Sequence, residues 1–145
     1  MAFKSIAIGS DHAGFDLKAK LVEALKTSGY QVLDVGTDDA TNSVDYPDFG
    51  KAVAEAVTSG KVDGGVVVCG TGIGISIAAN RHPGIRAALC HDVTMARLCR
   101  EHNAANVLAL GARLIGDVVA KDCLDTFLTT DFAGDRHVRR VEKLG

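Results

Sequence analysis

Short runs of β-branched and aliphatic residues alternate with longer segments of helical period along the chain, and no other feature restricts its fold as strongly. Such alternation makes successive strands parallel, because each return to the start of the next strand needs a crossover long enough to hold a helix. The strand signals fall at Ser5–Ile8, Gln31–Val35, Gly65–Val68, Arg86–Leu89 and Asn106–Leu110. Helical segments are expected over 14–28, 47–59, 73–80, 92–102 and 115–128, with breaks at Gly29, Gly60, Pro83-Gly84 and Gly111. The continuous apolar run Val66-Val67-Val68 suits a strand covered on both faces. These signals predict a three-layer α/β/α sandwich around a Rossmann-like, five-stranded parallel sheet, formed by one domain over residues 1–145.

The remaining composition narrows the class of function. At 145 residues the chain can bury a core without disulfides or metals. Its four cysteines, 69, 90, 99 and 123, form no C-x-x-C pair, which argues against a zinc site or a redox dithiol and predicts reduced thiols. A net charge of -2 offers no general attraction to nucleic acid or to an anionic membrane, so any anion site has to be built locally. No apolar run is long enough to span a bilayer, and Met1–Ile6 shows no secretory pattern, so the expected compartment is the cytoplasm.

In open parallel sheets ligands bind beyond the carboxyl ends of the strands, which selects the candidate residues. After the third strand signal comes Cys69-Gly70-Thr71-Gly72-Ile73-Gly74, a cysteine followed by a glycine-rich turn into a helix. Peptide N–H groups in such a turn, with the helix dipole, suit a phosphate or an enediolate oxyanion, and the same field favours a thiolate over a thiol. The alternative is a small core cysteine followed by a tight turn. The dinucleotide fingerprint would need glycine at Ile75, and no Gly-Lys-Ser/Thr closes a P-loop. Asp11 and His12 follow the first strand. Ser10 or Asp11 can cap the next helix, while His12 can donate to a phosphate or sugar hydroxyl. Asp45 can cap the helix at Pro47, and Tyr46 either lines a pocket or only closes the loop. His102 and Asn103 end a helix, where the dipole alone favours histidine and where proton transfer during sugar ring opening is the functional alternative. Arg113 follows the fifth strand, and Arg136 and Arg140 share a face if residues 134–145 are helical. Together they form either an anion clamp or a solvated surface. Val138, Val141 and Leu144 give this tail an apolar side, so it is expected to dock on a second subunit.

Taken together, Ser10-Asp11-His12-Ala13-Gly14, Asp45-Tyr46-Pro47-Asp48, the Cys69–Gly74 turn, His102-Asn103 and Gly134-Asp135-Arg136-His137-x-x-Arg140 resemble the ribose-5-phosphate isomerase B family, nearly end to end. The resemblance implies an aldose–ketose isomerase without cofactor or metal, built as a homodimer or homotetramer with sites shared between subunits. It makes Cys69 the base that takes the C2 proton. Thr71 and the amides of Gly70, Gly72 and Gly74 would hold the enediolate, and Asp11, His12 and Tyr46 would contact substrate from the same chain. The partner would supply His102 for ring opening, Asn103 for the oxyanion, and Arg113, Arg136 and Arg140 for the phosphate. Family members that carry a glutamate base in the following helix have no counterpart here, where Ile75-Ser76-Ile77 stands. Asp135 occupies a position where many relatives have glycine. Competing readings are an isomerase of another sugar phosphate (allose 6-phosphate, galactose 6-phosphate or a tetrose phosphate), a non-catalytic sugar-phosphate-binding protein, and a thiol redox or acyl-transfer protein.

Overall fold

A computed structural model describes residues 2–145. Its strands are β1 (Ser5–Ser10), β2 (Gln31–Asp34), β3 (Gly64–Cys69), β4 (Ala87–Leu89) and β5 (Val107–Gly111). They form one parallel sheet in the order β2-β1-β3-β5-β4. The helices are α1 (Phe15–Thr27), α2 (Tyr46–Thr58), α3 (Ile73–Asn80), α4 (Val93–Asn103), α5 (Asp117–Thr129) and α6 (Arg136–Leu144), and a single 3₁₀ turn (His12–Gly14) leads into α1. Among the described residues no helix is long and apolar enough to cross a membrane.

Side-chain alternation sorts each central strand between two cores, as a sheet covered on both faces requires. Ile6, Ile8, Val66, Val68, Leu108 and Leu110 face α1, α4 and α5 together with Leu21, Leu124 and Phe127. Ala7, Val67, Cys69, Val107 and Ala109 face α2 and α3 with Val53, Ile75 and Ala79. The second set is smaller, so α2 and α3 can approach the sheet closely. Cys69 belongs to it, and its side chain therefore points toward α3.

Two boundaries differ from the sequence expectation in ways that matter for function. β1 continues past Ile8 to Ser10, paired with β3 through Ser10 and Val68. β3 includes Cys69, paired with Gly111 of β5, so the thiol is fixed by the ladder instead of riding on the loop beyond it. The tail, expected as one face of a helix, is the nine-residue α6, and it packs on α4 of its own chain.

An ion pair between the buried Lys18 and the exposed Asp34 ties α1 to the carboxyl end of β2. Lys18, 3% exposed, donates from Nζ to both Asp34 carboxylate oxygens at 2.8 Å, and Asp34 also accepts the Gly36 N–H at 3.0 Å. Removing only the carboxylate strands a buried ammonium, whereas replacing the lysine by an apolar chain does not. Asp34→Ala is thus expected to lower unfolding stability by about 2 kcal/mol and Lys18→Met by less than about 1 kcal/mol, measured by urea denaturation.

Candidate active site

All five strands end on one edge of the sheet, and the turn after β3 dominates that edge. Gly72 begins α3 with φ 77°, a left-handed conformation that side chains disfavour, and a Cβ there would stand 2.6 Å from Leu89 Cδ1 and 2.8 Å from the Leu110 carbonyl carbon. Glycine alone lets the turn fold back over β5. As it does so, the Gly72 N–H donates to Cys69 Sγ at 3.2 Å, inside a site where the thiol is 4% exposed. Thr71 is exposed beside it, and its Oγ1 accepts the Ile73 N–H at 3.1 Å. A negatively charged sulfur here meets an aimed peptide dipole and the amino end of α3.

The other three cysteines are differently placed. They are free, buried and on the opposite face of the sheet. The hydrogen bond from Cys90 to Cys99, reinforced by burial, pushes the Cys90 thiol far above its ordinary range, and burial pushes Cys123 up to about 11. Cys69 is the one that ends a strand at the ligand edge.

Its surroundings assemble from three further segments. Tyr46, first residue of α2, lays its ring on the turn, since a Cβ on Gly74 would meet Cε1 and Cζ at 2.7 Å. Arg113 folds over the other side, with Cδ and Nη1 each 3.4 Å from where a Gly70 Cβ would stand, while its own N–H donates to the Gly70 carbonyl at 2.9 Å. Asp11 caps the 3₁₀ turn by accepting the Gly14 N–H at 3.1 Å, and its backbone N–H donates to Val68 O. His12 Nδ1 accepts the Val44 N–H at 3.2 Å, which places the neutral ring's proton on Nε2 as a donor. Ser10 Oγ is buried in the last residue of β1 without a hydrogen-bond partner among the described residues.

The structure thus brings Cys69, Gly70, Thr71, Gly72, Gly74, Tyr46, His12, Asp11 and Arg113 to one edge of one chain. Arg113 departs from the arrangement the resemblance implied, in which it came from a partner. Its backbone is tied to Gly70 and its side chain lies on that glycine. Asp45 sits at the N-cap of α2 without the side-chain cap expected of it.

The second group lies elsewhere. α4 runs back from the end of β4, and the Asn103 carbonyl at its far end accepts from Nε of Arg86, the residue before β4. His102 and Asn103 therefore stand at the amino edge of the sheet, about 17 Å from the Cys69 edge along a strand of β3's length. α6 is with them. The rings of His137 and His102 stack, and His102, Asn103, His137, Arg140, Val141 and Leu144 line a cleft of about 300 Å³. Arg136 and Arg140, one turn apart, are exposed.

Sequence reasoning left His137 without a role and passed over Asp39. The Asp39 carboxylate accepts the Thr41 and Asn42 N–H groups at 2.8 and 2.9 Å, which holds its pKa down at about 2 and shapes the loop that delivers the Val44 N–H to His12. The signal was the run Asp39-Ala40-Thr41-Asn42, whose residue types favour such local turns.

A buried thiol at the end of a central strand, with a peptide N–H aimed at it and arginine and histidine donors on the same edge, is the geometry of an α/β protein suited to an anionic small molecule. A family model described as Ribose/Galactose Isomerase matches residues 6–144. The chain belongs to this ribose/galactose isomerase family and is a sugar-phosphate isomerase. It is 48% identical over 141 residues to ribose-5-phosphate isomerase B of Escherichia coli K12, with 97% of this chain and 94% of that protein covered. It is 43% identical over 141 residues to D-erythrulose-4-phosphate isomerase of Pectobacterium atrosepticum, with 97% and 93% covered. The structure of ribose-5-phosphate isomerase B from Clostridium thermocellum superposes with a TM-score of 0.96 at 57% identity, covering 97% of this chain and 95% of that one.

The aspartate at position 135 has a structural cost. Its backbone has φ 57° and ψ -129°, a region glycine occupies far more easily. Asp135→Gly is expected to stabilise the fold by about 1 kcal/mol, read as a rise in thermal midpoint, despite the greater freedom glycine gives the unfolded chain.

Proposed function

We propose that this chain interconverts ribose 5-phosphate and ribulose 5-phosphate, in the cytoplasm and within the pentose phosphate pathway, by proton transfer through an enediolate. The observation that carries the reading is the hydrogen bond from Gly72 N–H to Cys69 Sγ at the carboxyl end of β3. As thiolate, Cys69 removes the C2 proton of the open-chain aldose. The electron pair forms the C1–C2 double bond, and the carbonyl oxygen at C1 becomes an oxyanion held by the turn's amides and by Thr71. The thiol then returns the proton to C1, and the C2 hydroxyl proton passes to the oxyanion at C1, which leaves the ketose carbonyl at C2 and a hydroxyl at C1. His12, through Nε2–H, and Arg113 contact the substrate from the same chain, as do Tyr46 and Asp11.

His102, Asn103, Arg136 and Arg140 reach such a substrate only from another copy, because the sheet separates them from Cys69 of their own chain. A symmetric dimer, alone or paired as a tetramer, that sets the amino edge of one subunit against the carboxyl edge of the other completes two sites at once. In that arrangement the segment from about 134 to 145 docks on the partner, His102 opens the sugar ring, Asn103 supports the oxyanion and the two arginines hold the phosphate. The phosphate, remote from C1 and C2, supplies binding energy for positioning.

A second reading, another sugar phosphate as preferred substrate, is favoured by the Pectobacterium relative named for a four-carbon phosphate. The two are separated by kcat/KM for ribose 5-phosphate, allose 6-phosphate, galactose 6-phosphate and a tetrose phosphate with chelator present. We expect ribose 5-phosphate to be preferred. A higher value for another phosphate replaces the substrate, and turnover of none of them overturns the proposal. Cys69→Ala is expected to lower kcat by about a thousandfold with substrate binding largely kept, whereas Arg136→Ala chiefly raises KM. Unchanged turnover by Cys69→Ala would remove the thiol from the mechanism.

A further inference from the structure

One side chain of α6 is buried against the body of its chain. His137 is its only buried residue, 7% exposed, while Arg136, Val138, Arg139 and Arg140 around it are exposed. The His137 ring lies on the ring of His102, with centroids 4.5 Å apart and planes 17° from parallel. Such a stack is favourable while at most one imidazole is charged and repulsive when both are. The charged groups facing His137 are His102 on α4 and Asp135, Arg136 and Arg140 on its own segment. Glu101, the nearest acid on α4, is already paired with Arg97. Burial first, then the charges of His102, Arg136 and Arg140, hold the His137 imidazole below its ordinary value of 6.5, against the opposing pull of Asp135.

We propose that His137 is a positioning residue: stacked on His102 as a neutral imidazole, it fixes that ring's plane and seats α6, so that Arg136 and Arg140 meet the substrate phosphate only while the stack holds. This rests on the reading of His102, Arg136 and Arg140 as substrate-contacting groups. The sign of its pH dependence follows from linkage. The undocked ring binds a proton more tightly than the docked one, so docking is complete above pH 6.5 and weakens as pH falls below it. A phenyl ring keeps a flat stacking surface but takes no proton, and alanine removes both.

The test is hydrogen exchange of the α6 amides in the full-length protein without substrate, at about pH 8 and about pH 5.5, corrected for intrinsic exchange. Protection over 138–145 should fall about three- to tenfold on acidification in the wild type, stay level in His137→Phe, and be low at both values in His137→Ala. His137→Asn, which also does not titrate, serves if the phenylalanine variant folds poorly. KM for the phosphorylated substrate should rise more steeply with acid in the wild type than in His137→Phe, while kcat responds alike in both. Protection that ignores pH in the wild type, or an equal pH response in the non-titrating variants, overturns the positioning role. If exchange behaves as expected while no sugar phosphate is turned over, the stack stands and the isomerase reading fails. Normal turnover with flat exchange keeps the isomerase and removes the positioning role of His137.

Discussion

The polarity of the parallel sheet governs the rest of the structure. Because β1 to β5 all run one way, every strand delivers its last residue to the same edge, and every crossover helix returns its own last residue to the opposite edge. Cys69, the final residue of β3, is pinned there by its ladder partner Gly111. The left-handed Gly72 then turns its amide back onto the sulfur. The same polarity carries His102 and Asn103 away from that edge at the end of α4. One geometric rule therefore sets Cys69 and His102 at opposite edges of the chain, which is why the proposed site draws on a second copy.

Rigidity at the two edges of the sheet comes from different interactions. At the carboxyl edge it is close packing: Tyr46 leaves no room on Gly74 for a methyl group unless its ring shifts, and Arg113 lies in ordinary contact over Gly70. At the amino edge it is a buried cation. Arg100, 6% exposed, donates to the carbonyls of Thr130 and Ala105 and lies 4.6 Å over the ring of Phe3, which in turn stacks on Phe127. These contacts fasten the last turns of α4, two residues before His102, to the end of α5 and the approach to β5. The orientation of His102 thus depends on the core beneath it as well as on the ring stacked upon it.

Much of this was legible in the residues themselves. The five strands were announced by β-branched runs, and the Cys69–Gly74 turn by glycine spacing that fits neither nucleotide motif. What the sequence did not carry was distance. The i, i+4 spacing of Arg136 and Arg140 marks one helix face, but only the structure shows that this helix sits on α4, far from Cys69. The resemblance implied that Arg113 comes from the partner, whereas its backbone bond to Gly70 keeps it beside the thiol of its own chain. Asp135 was visible as an unusual residue, and its positive φ supplies the physical meaning. His137 stayed unassigned because a stack between residues 35 apart leaves no mark in local pattern.

The proposed shared site can be tested by mixing two variants, each expected to be inactive. In the proposed homodimer, Cys69→Ala and His102→Asn would each inactivate both sites. Unfolded and refolded together, they form hybrids in which one site takes Cys69 from the second variant and His102 from the first, and that site is intact. Random pairing of equal amounts predicts recovery of about a quarter of wild-type isomerase activity. A mixture no more active than its two components would contradict the account, because a site confined to one subunit cannot be restored by a partner.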